Sequence, residues 1–154
     1  LGAIGSGAEY IIVPVGGSAV RPTEEILKKR DHYVKINGKE VFKFSTRIVG
    51  DIIDEVLARN NMTLDDIALI IPHQANIRII ESAAKRYNCP IDKFYVNIDK
   101  YGNTVAATIP MALHEALCEG KIKKGDNILL IGFGAGLTYG LTLIKWGNYT
   151  KPLY

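Results

Sequence analysis

Cysteine is scarce in this chain: Cys89 and Cys118 are the only two among 154 residues, and neither sits at metal-binding or redox spacing. That argues against a disulfide scaffold and a cysteine-ligated zinc site, and both read as free thiols of a reducing cytoplasm. Cys89 precedes Pro90 and Cys118 stands beside Glu119, so neither has the electropositive setting of a reactive thiolate. Histidine is limited to three residues, and His114-Glu115 has no second histidine three or four positions away, so no metal site is expected. His32, within a charged Lys-Arg-Asp segment, reads as a surface residue. Net charge is only +3, with no interleaved basic and aromatic motif, and nucleic acid is not an expected partner. No basic segment leads into an apolar run at the start, and Glu9 interrupts what apolar sequence there is, so no secretory signal is read. The chain opens at Leu1 and runs directly into Gly2-Ala3-Ile4-Gly5-Ser6-Gly7, which reads as the middle of a longer protein. Charge is also absent between Asp126 and Lys145, where Gly132, Gly136 and Gly140 mimic a membrane-helix pattern. Four glycines there, with Asn127, Thr138, Tyr139 and Thr142, instead favour a strand, a glycine turn and a returning strand, and no membrane span is expected.

What is present is an ordinary globular composition, 47% apolar and 23% charged. A chain of this length makes one domain and buries roughly 70% of its unfolded surface. Glu9 to Val15 reads as a strand, ended by a Gly-Gly-Ser turn and Arg21-Pro22. Paired apolar positions at 41/42, 48/49, 52/53 and 56/57 predict an amphipathic helix over 40–59. Thr63-Leu64-Asp65-Asp66 reads as a turn or short helical cap, and Ile67 to Ile71 as a strand covered on both faces. A helix from Asn76 to Tyr87 follows, with Ile77, Ile80, Ala84 and Tyr87 inward, then a second strand over Phe94 to Ile98. Thr104 to Leu117 predicts a helix apolar nearly all round and so buried nearly all round. Pro110 would lie in its interior at a cost of about 3 kcal/mol, unless the helix starts a turn later. Asn127 to Ile131 makes the third strand, and Leu137 to Trp146 the last, antiparallel to it. Strand–helix alternation implies an α/β fold with a mixed, largely parallel sheet, helices on both faces and one helix buried.

In such sheets ligands collect beyond the carboxyl ends of the strands. After the first parallel strand comes His73, after the second Tyr101-Gly102-Asn103-Thr104, and after the third Gly132-Phe133-Gly134-Ala135-Gly136. A histidine ahead of a helix N-terminus is disfavoured from taking a second proton, and a neutral imidazole can polarise a carbonyl. Asn103 adds a side-chain N–H donor that stays protonated at every physiological pH. Two neutral donors aimed at one oxygen suit an enolate or a tetrahedral intermediate, each worth about 3 kcal/mol. The plainer reading is that His73 and Asn103 cap their helices. The glycine loop fails as a dinucleotide fingerprint because a strand pattern follows at Leu137, and no Gly-Lys-Ser/Thr phosphate loop exists. A tight turn with approachable backbone N–H groups remains. Lys43, Arg78, Lys85 and Arg86 make an exposed basic set, a solvated face by default or a docking face for an acidic partner.

"IPHQANIRII" at 71–80, "YGNTVAATIP" at 101–110 and "GFGAGLTYG" at 132–140 together resemble the carboxyl-terminal half of the β-ketoacyl-acyl-carrier-protein synthase III family, condensing enzymes of the thiolase-like fold. The resemblance extends over essentially the whole chain, 1–154, including "GSGAEYIIVPVGGSAVRP" and "KINGKEVFKF". It implies a decarboxylative Claisen condensation of an acyl-CoA starter with malonyl-acyl-carrier protein, in which His73 and Asn103 stabilise the enolate. It implies a backbone oxyanion donor in the Gly134-Ala135-Gly136 loop, at Ala135. It places Ile36, Gly38, Phe42, Gln74, Ala75, Asn76 and Phe133 along the coenzyme A and pantetheine path. Lys43, Arg78, Lys85 and Arg86 become the acyl-carrier-protein face. No cofactor is implied beyond coenzyme A and phosphopantetheine thioesters as substrates, and the expected form is a cytoplasmic homodimer. The family's nucleophilic cysteine belongs to an amino-terminal half that this sequence does not contain, and neither Cys89 nor Cys118 lies in its motif. Without that half the chain could act only as a carrier-protein or coenzyme A binding piece. Polyketide starter synthases and 3-hydroxy-3-methylglutaryl synthases share the fold, but the latter use a glutamate base, and the Asn103 motif fits synthase III better.

Overall fold

The computed structural model describes residues 1–147, and residues 148–154 of the domain read as 1–154 lie outside the described residues. Its strands are β1 (Gly2–Ala3), β2 (Ile11–Ile12), β3 (Lys35–Ile36), β4 (Leu69–Pro72), β5 (Asn127–Gly134) and β6 (Thr138–Lys145). Its helices are α1 (Glu24–Lys28), α2 (Gly38–Arg59), α3 (Ile77–Arg86), α4 (Ile98–Tyr101) and α5 (Thr108–Cys118). The main sheet has the order β1-β6-β5-β4, and β2 and β3 form a separate antiparallel pair. β4 runs parallel to β5, from Leu69 opposite Ile128 to Pro72 opposite Ile131. Parallel neighbours cannot be joined by a tight turn, and here the crossover contains α3, α4 and α5. β5 and β6 form an antiparallel hairpin from Asn127↔Lys145 to Gly134↔Thr138. The charge-free run is therefore a strand pair, and no helix among the described residues is long and apolar enough to cross a membrane.

The two-residue period of the strands divides the core. Ile70, Leu129 and Ile131 pack with α2 and α3, while Leu69, Ile71 and Ile128 pack with Ala112 and Ala116 of α5. Every residue of β4 is buried, as its unbroken apolar run implied. Helices thus cover both faces of a mixed α/β sheet.

α2 follows its sequence signals closely. Asn37 caps it, its Oδ1 accepting from the Glu40 N–H at 3.3 Å, and Phe44, Ile48, Val49, Ile52, Ile53 and Leu57 form the buried stripe. Thr63 and Asp66 close a capping box over the next short turn. α3 buries Ile79, Ile80, Ala83 and Ala84, so its inner stripe is rotated from the expected one, with Ile77 and Tyr87 only partly covered. Where α3 meets α2, the Arg86 guanidinium lies over Gly50, in space that a side chain there would fill.

Four expectations fail, each for a local reason. The strand over Glu9 to Val15 shrinks to Ile11–Ile12, because residues 5–10 coil into a 3-10 turn and Pro14 has no N–H for a ladder. The strand over Phe94 to Ile98 shrinks to one parallel bridge, Ile70 to Phe94, since the Asn97 N–H is bound to the Gln74 side chain rather than to a strand. The helix expected from Thr104 begins at Thr108, after a 3-10 turn over Val105–Ala107. Pro110 then falls in the first helical turn, where no intrahelical hydrogen bond is lost and no kink arises. Finally, α5 is not enclosed all round. Thr108, Ala112 and Ala116 are buried, but Pro110 and His114 are exposed, as is Val105 just before it at 73%.

Candidate active site

His73 stands one residue past β4, and its N–H continues the parallel pairing by donating to the Ile131 carbonyl at 2.7 Å. The chain then turns, the Ala75 N–H bonding back to the His73 carbonyl at 2.9 Å, and Asn76 starts α3 by accepting from the Arg78 N–H at 3.0 Å. Asn76, not His73, is the cap. The imidazole is half-buried, its Nδ1 lies 2.6 Å from Thr108 Oγ1, and the Phe133 ring meets it edge-on at a centroid distance of 5.4 Å. Burial lowers the pKa of His73 from its ordinary value of 6.5. Desolvation thus favours the neutral imidazole, whereas the sequence reading rested on a helix terminus.

Asn103 is brought alongside by a brace that sequence reasoning missed. Gln74 is fully buried, donating through Nε2 to the Pro72 carbonyl at 2.9 Å and the Tyr95 carbonyl at 3.1 Å, and accepting from the Asn97 N–H at 3.1 Å. Asn97 in turn donates to Glu115 on α5 at 2.8 Å, and Lys100 reaches the same carboxylate at 2.7 Å. The Lys100 ammonium and the Asn97 amide hold Glu115 below the usual carboxylate range. α4 ends at Gly102, whose φ of +67° favours glycine and turns the chain into Asn103. The Asn103 Oδ1 accepts from the Val105 N–H at 2.9 Å, which commits the amide oxygen and leaves Nδ2 for a ligand. Val105 holds a φ of +55°, costly for a β-branched residue, at this turn.

A cavity of about 250 Å³ gathers these groups. His73, Asn103, Phe133 and Gly134 line it, with Ile36, Gly38 and Phe42 on one side and Ala75 and Asn76 on another. Nine of the residues singled out from sequence thus face one space. His73, Phe133 and Gly134 also border a broader cavity of about 640 Å³, with Val105, Ile109 and Tyr139 beyond them.

Other expected site residues lie elsewhere. Gln74 does not line the path, because its amide is sealed in the core by three hydrogen bonds. Ala135 is exposed at the tip of the β5–β6 hairpin, its carbonyl accepting from the Thr138 hydroxyl at 2.9 Å. Arg86 is no free cation: it pairs with Asp51 at 3.0 Å and Asp54 at 2.6 Å at the far end of α3. Lys43 pairs with Glu40 at 2.8 Å beside Arg47, whereas Arg78 and Lys85 are exposed with no ion-pair partner among the described residues. Both cysteines are free thiols, and Cys118 lies 3.5 Å from His114 across one turn of α5. Among the described residues no group of three potential ligands could hold a metal ion. His32, read as a surface residue, is half-buried against Tyr33 with its Nδ1 unbonded.

Comparison with known proteins places the chain in a family. The family profile described as 3-oxoacyl-[acyl-carrier-protein (ACP)] synthase III C terminal matches residues 57–146. A β-ketoacyl-[acyl-carrier-protein] synthase III of Caldanaerobacter subterraneus subsp. tengcongensis is 49% identical over 148 residues, 96% of this chain and 45% of that protein. The enzyme of that name from Fusobacterium nucleatum is 47% identical over 146 residues, 95% of this chain and 44% of that protein. A solved structure from Thermus thermophilus superposes with a TM-score of 0.81 at 39% identity, covering 95% of this chain and 44% of that one. A sheet of this order flanked by these helices, with donors at the ends of its strands, is the carboxyl-terminal half of a thiolase-like α/β fold. The chain belongs to the 3-oxoacyl-[acyl-carrier-protein] synthase III family and corresponds to its C-terminal region. It spans about half the length of the curated relatives it matches.

Proposed function

We propose that this chain supplies the enolate-stabilising half of a decarboxylative condensing enzyme that joins an acyl-CoA starter to malonyl-acyl-carrier protein in fatty acid synthesis. The observation that carries the reading is the meeting of a half-buried His73, whose burial disfavours protonation, and a singly committed Asn103 amide in one cavity. When the malonyl carboxylate leaves as CO₂, its bonding electrons pass to the α-carbon and the thioester oxygen becomes an enolate. An N–H from His73 and the Nδ2–H of Asn103 stabilise that oxygen. The carbanion then attacks an acyl group held as a thioester on a cysteine of the amino-terminal half, and that thiolate leaves. Phe42, Ala75 and Asn76 border the pantetheine arm, and Gly134, which lines the same cavity, faces the acyl oxyanion. Arg78, Lys85 and Lys43 steer the acidic carrier. The substrates are coenzyme A and phosphopantetheine thioesters, no separate cofactor is required, and the assembled protein acts as a cytoplasmic homodimer.

The test is turnover by the complete protein, both halves present, with malonyl-carrier protein and an acyl-CoA. One CO₂ and one β-ketoacyl product per cycle are expected. Tight carrier binding with no product would replace this reading with a binding module. In the same assay Arg78→Glu raises KM for the carrier about 5–10-fold while kcat holds, as expected of an exposed steering charge.

The acid limb of the pH–rate profile is a second check. Because burial lowers the His73 pKa, the imidazole is protonated less than a free histidine at the same pH. The acid limb should therefore have its midpoint below 6.5, the ordinary histidine value. The same group contributes to stability with the matching sign: below 6.5 the unfolded chain takes up a proton the native site resists, so stability falls with falling pH through 6.5 until the native site protonates too.

A further inference from the structure

We infer that the Thr108 hydroxyl donates to His73 Nδ1 and thereby sets the imidazole tautomer, leaving the proton on Nε2 as the donor for the thioester oxygen. Resting on the proposed function, this makes Thr108 a positioning residue for the condensation. Thr108 is the first residue of α5, 2% exposed, and its Oγ1 lies 2.6 Å from Nδ1. That separation is shorter than an N–H···O bond prefers and suits a hydroxyl donor. The competing acceptor is the Val105 carbonyl, 3.0 Å from Oγ1. That carbonyl already receives the Thr108 backbone N–H, so it does not depend on the hydroxyl proton. A nitrogen that accepts cannot also carry hydrogen in the neutral ring, so the proton resides on Nε2. With Nδ1 engaged, Nε2 is the nitrogen left for a ligand in the cavities that His73 lines. The Phe133 edge packs against the same ring, at an interplanar angle of 70°. The same turn serves both donors. Val105 gives its N–H to Asn103 and its carbonyl accepts the Thr108 backbone N–H, so one strained residue joins the asparagine and the histidine.

The experiment is ¹⁵N-histidine NMR on the complete protein, with the His73 signals assigned by their loss in His73→Ala. The expected spectrum shows a protonated Nε2 and a bare Nδ1. Thr108→Val, which keeps the shape and removes the hydroxyl, should yield a tautomer mixture and lower kcat for decarboxylation about 10–100-fold with KM little changed, the size expected when an orienting partner is lost. Thr108→Ser should restore both. Urea unfolding of each variant separates this from misfolding. A wild-type proton on Nδ1, or an unchanged tautomer in Thr108→Val, overturns the inference. A tautomer that shifts as expected while CO₂ release stays constant upholds the Thr108 assignment and instead removes His73 from the proposed reaction.

Discussion

Replacing His73 with alanine in the complete protein lowers the rate of CO₂ release from malonyl-carrier protein about 10²–10³-fold, the usual consequence of removing one oxyanion donor. The loss falls on kcat, because the hydrogen bond strengthens as charge builds on the thioester oxygen and is weak to the ground-state carbonyl. Asn103 remains in the variant, which keeps residual activity above that of a double replacement. His73→Gln offers an amide donor on a longer arm and should recover part of the rate. Decarboxylation at the wild-type rate in His73→Ala would remove the histidine from the mechanism. His73 is half-buried, and among the described residues its side chain hydrogen-bonds to Thr108 alone, so the alanine variant should still fold.

Gln74→Leu is expected to destabilise the complete protein by about 3–5 kcal/mol, since it leaves two buried carbonyls and one buried N–H without partners. The carbonyls belong to Pro72 at the end of β4 and to Tyr95, the N–H to Asn97, and the latter two sit within the crossover that carries Asn103. The urea midpoint should drop while the slope of the transition holds. Activity in the folded fraction should fall as well, because the Asn103 loop loses its anchor. Gln74→Glu is expected to be worse at neutral pH, where a carboxylate would face two carbonyl oxygens, and to recover as pH falls. In that variant the native pKa rises above the unfolded value of about 4.3, so stability is present at low pH and is lost as pH rises through the native pKa. A leucine variant of wild-type stability that differs only in KM would return Gln74 to the substrate path.

The site was legible to the extent that its residues announce themselves locally. His73 and Asn103 each follow a strand-like run, and nine of the residues named from sequence line one cavity. Gln74 was misplaced because an amide between a histidine and an asparagine looks like one more ligand-facing group. Only its burial, decided by Tyr95 and Asn97 more than twenty positions away, shows it to be a brace. Arg86 was misread for a similar reason: its charge is visible in sequence, but Asp51 and Asp54 reach it from another helix. Thr108 gave no signal at all, lying 35 positions from His73 in a segment whose helix start was placed a turn too early.

The α2 and α3 helices, the buried β4 and the β5–β6 hairpin were determined by sequence alone. Each depends on a short-range rule, an apolar period of 2 or 3.6 or a side chain bonding a backbone group three residues on. The tertiary structure alone decided which nitrogen of His73 is left for a ligand, which residue braces the Asn103 loop and which cations are already paired. Those outcomes turn on burial and on hydrogen bonds between segments joined by long crossovers, where the partner is selected by packing and not by distance along the chain.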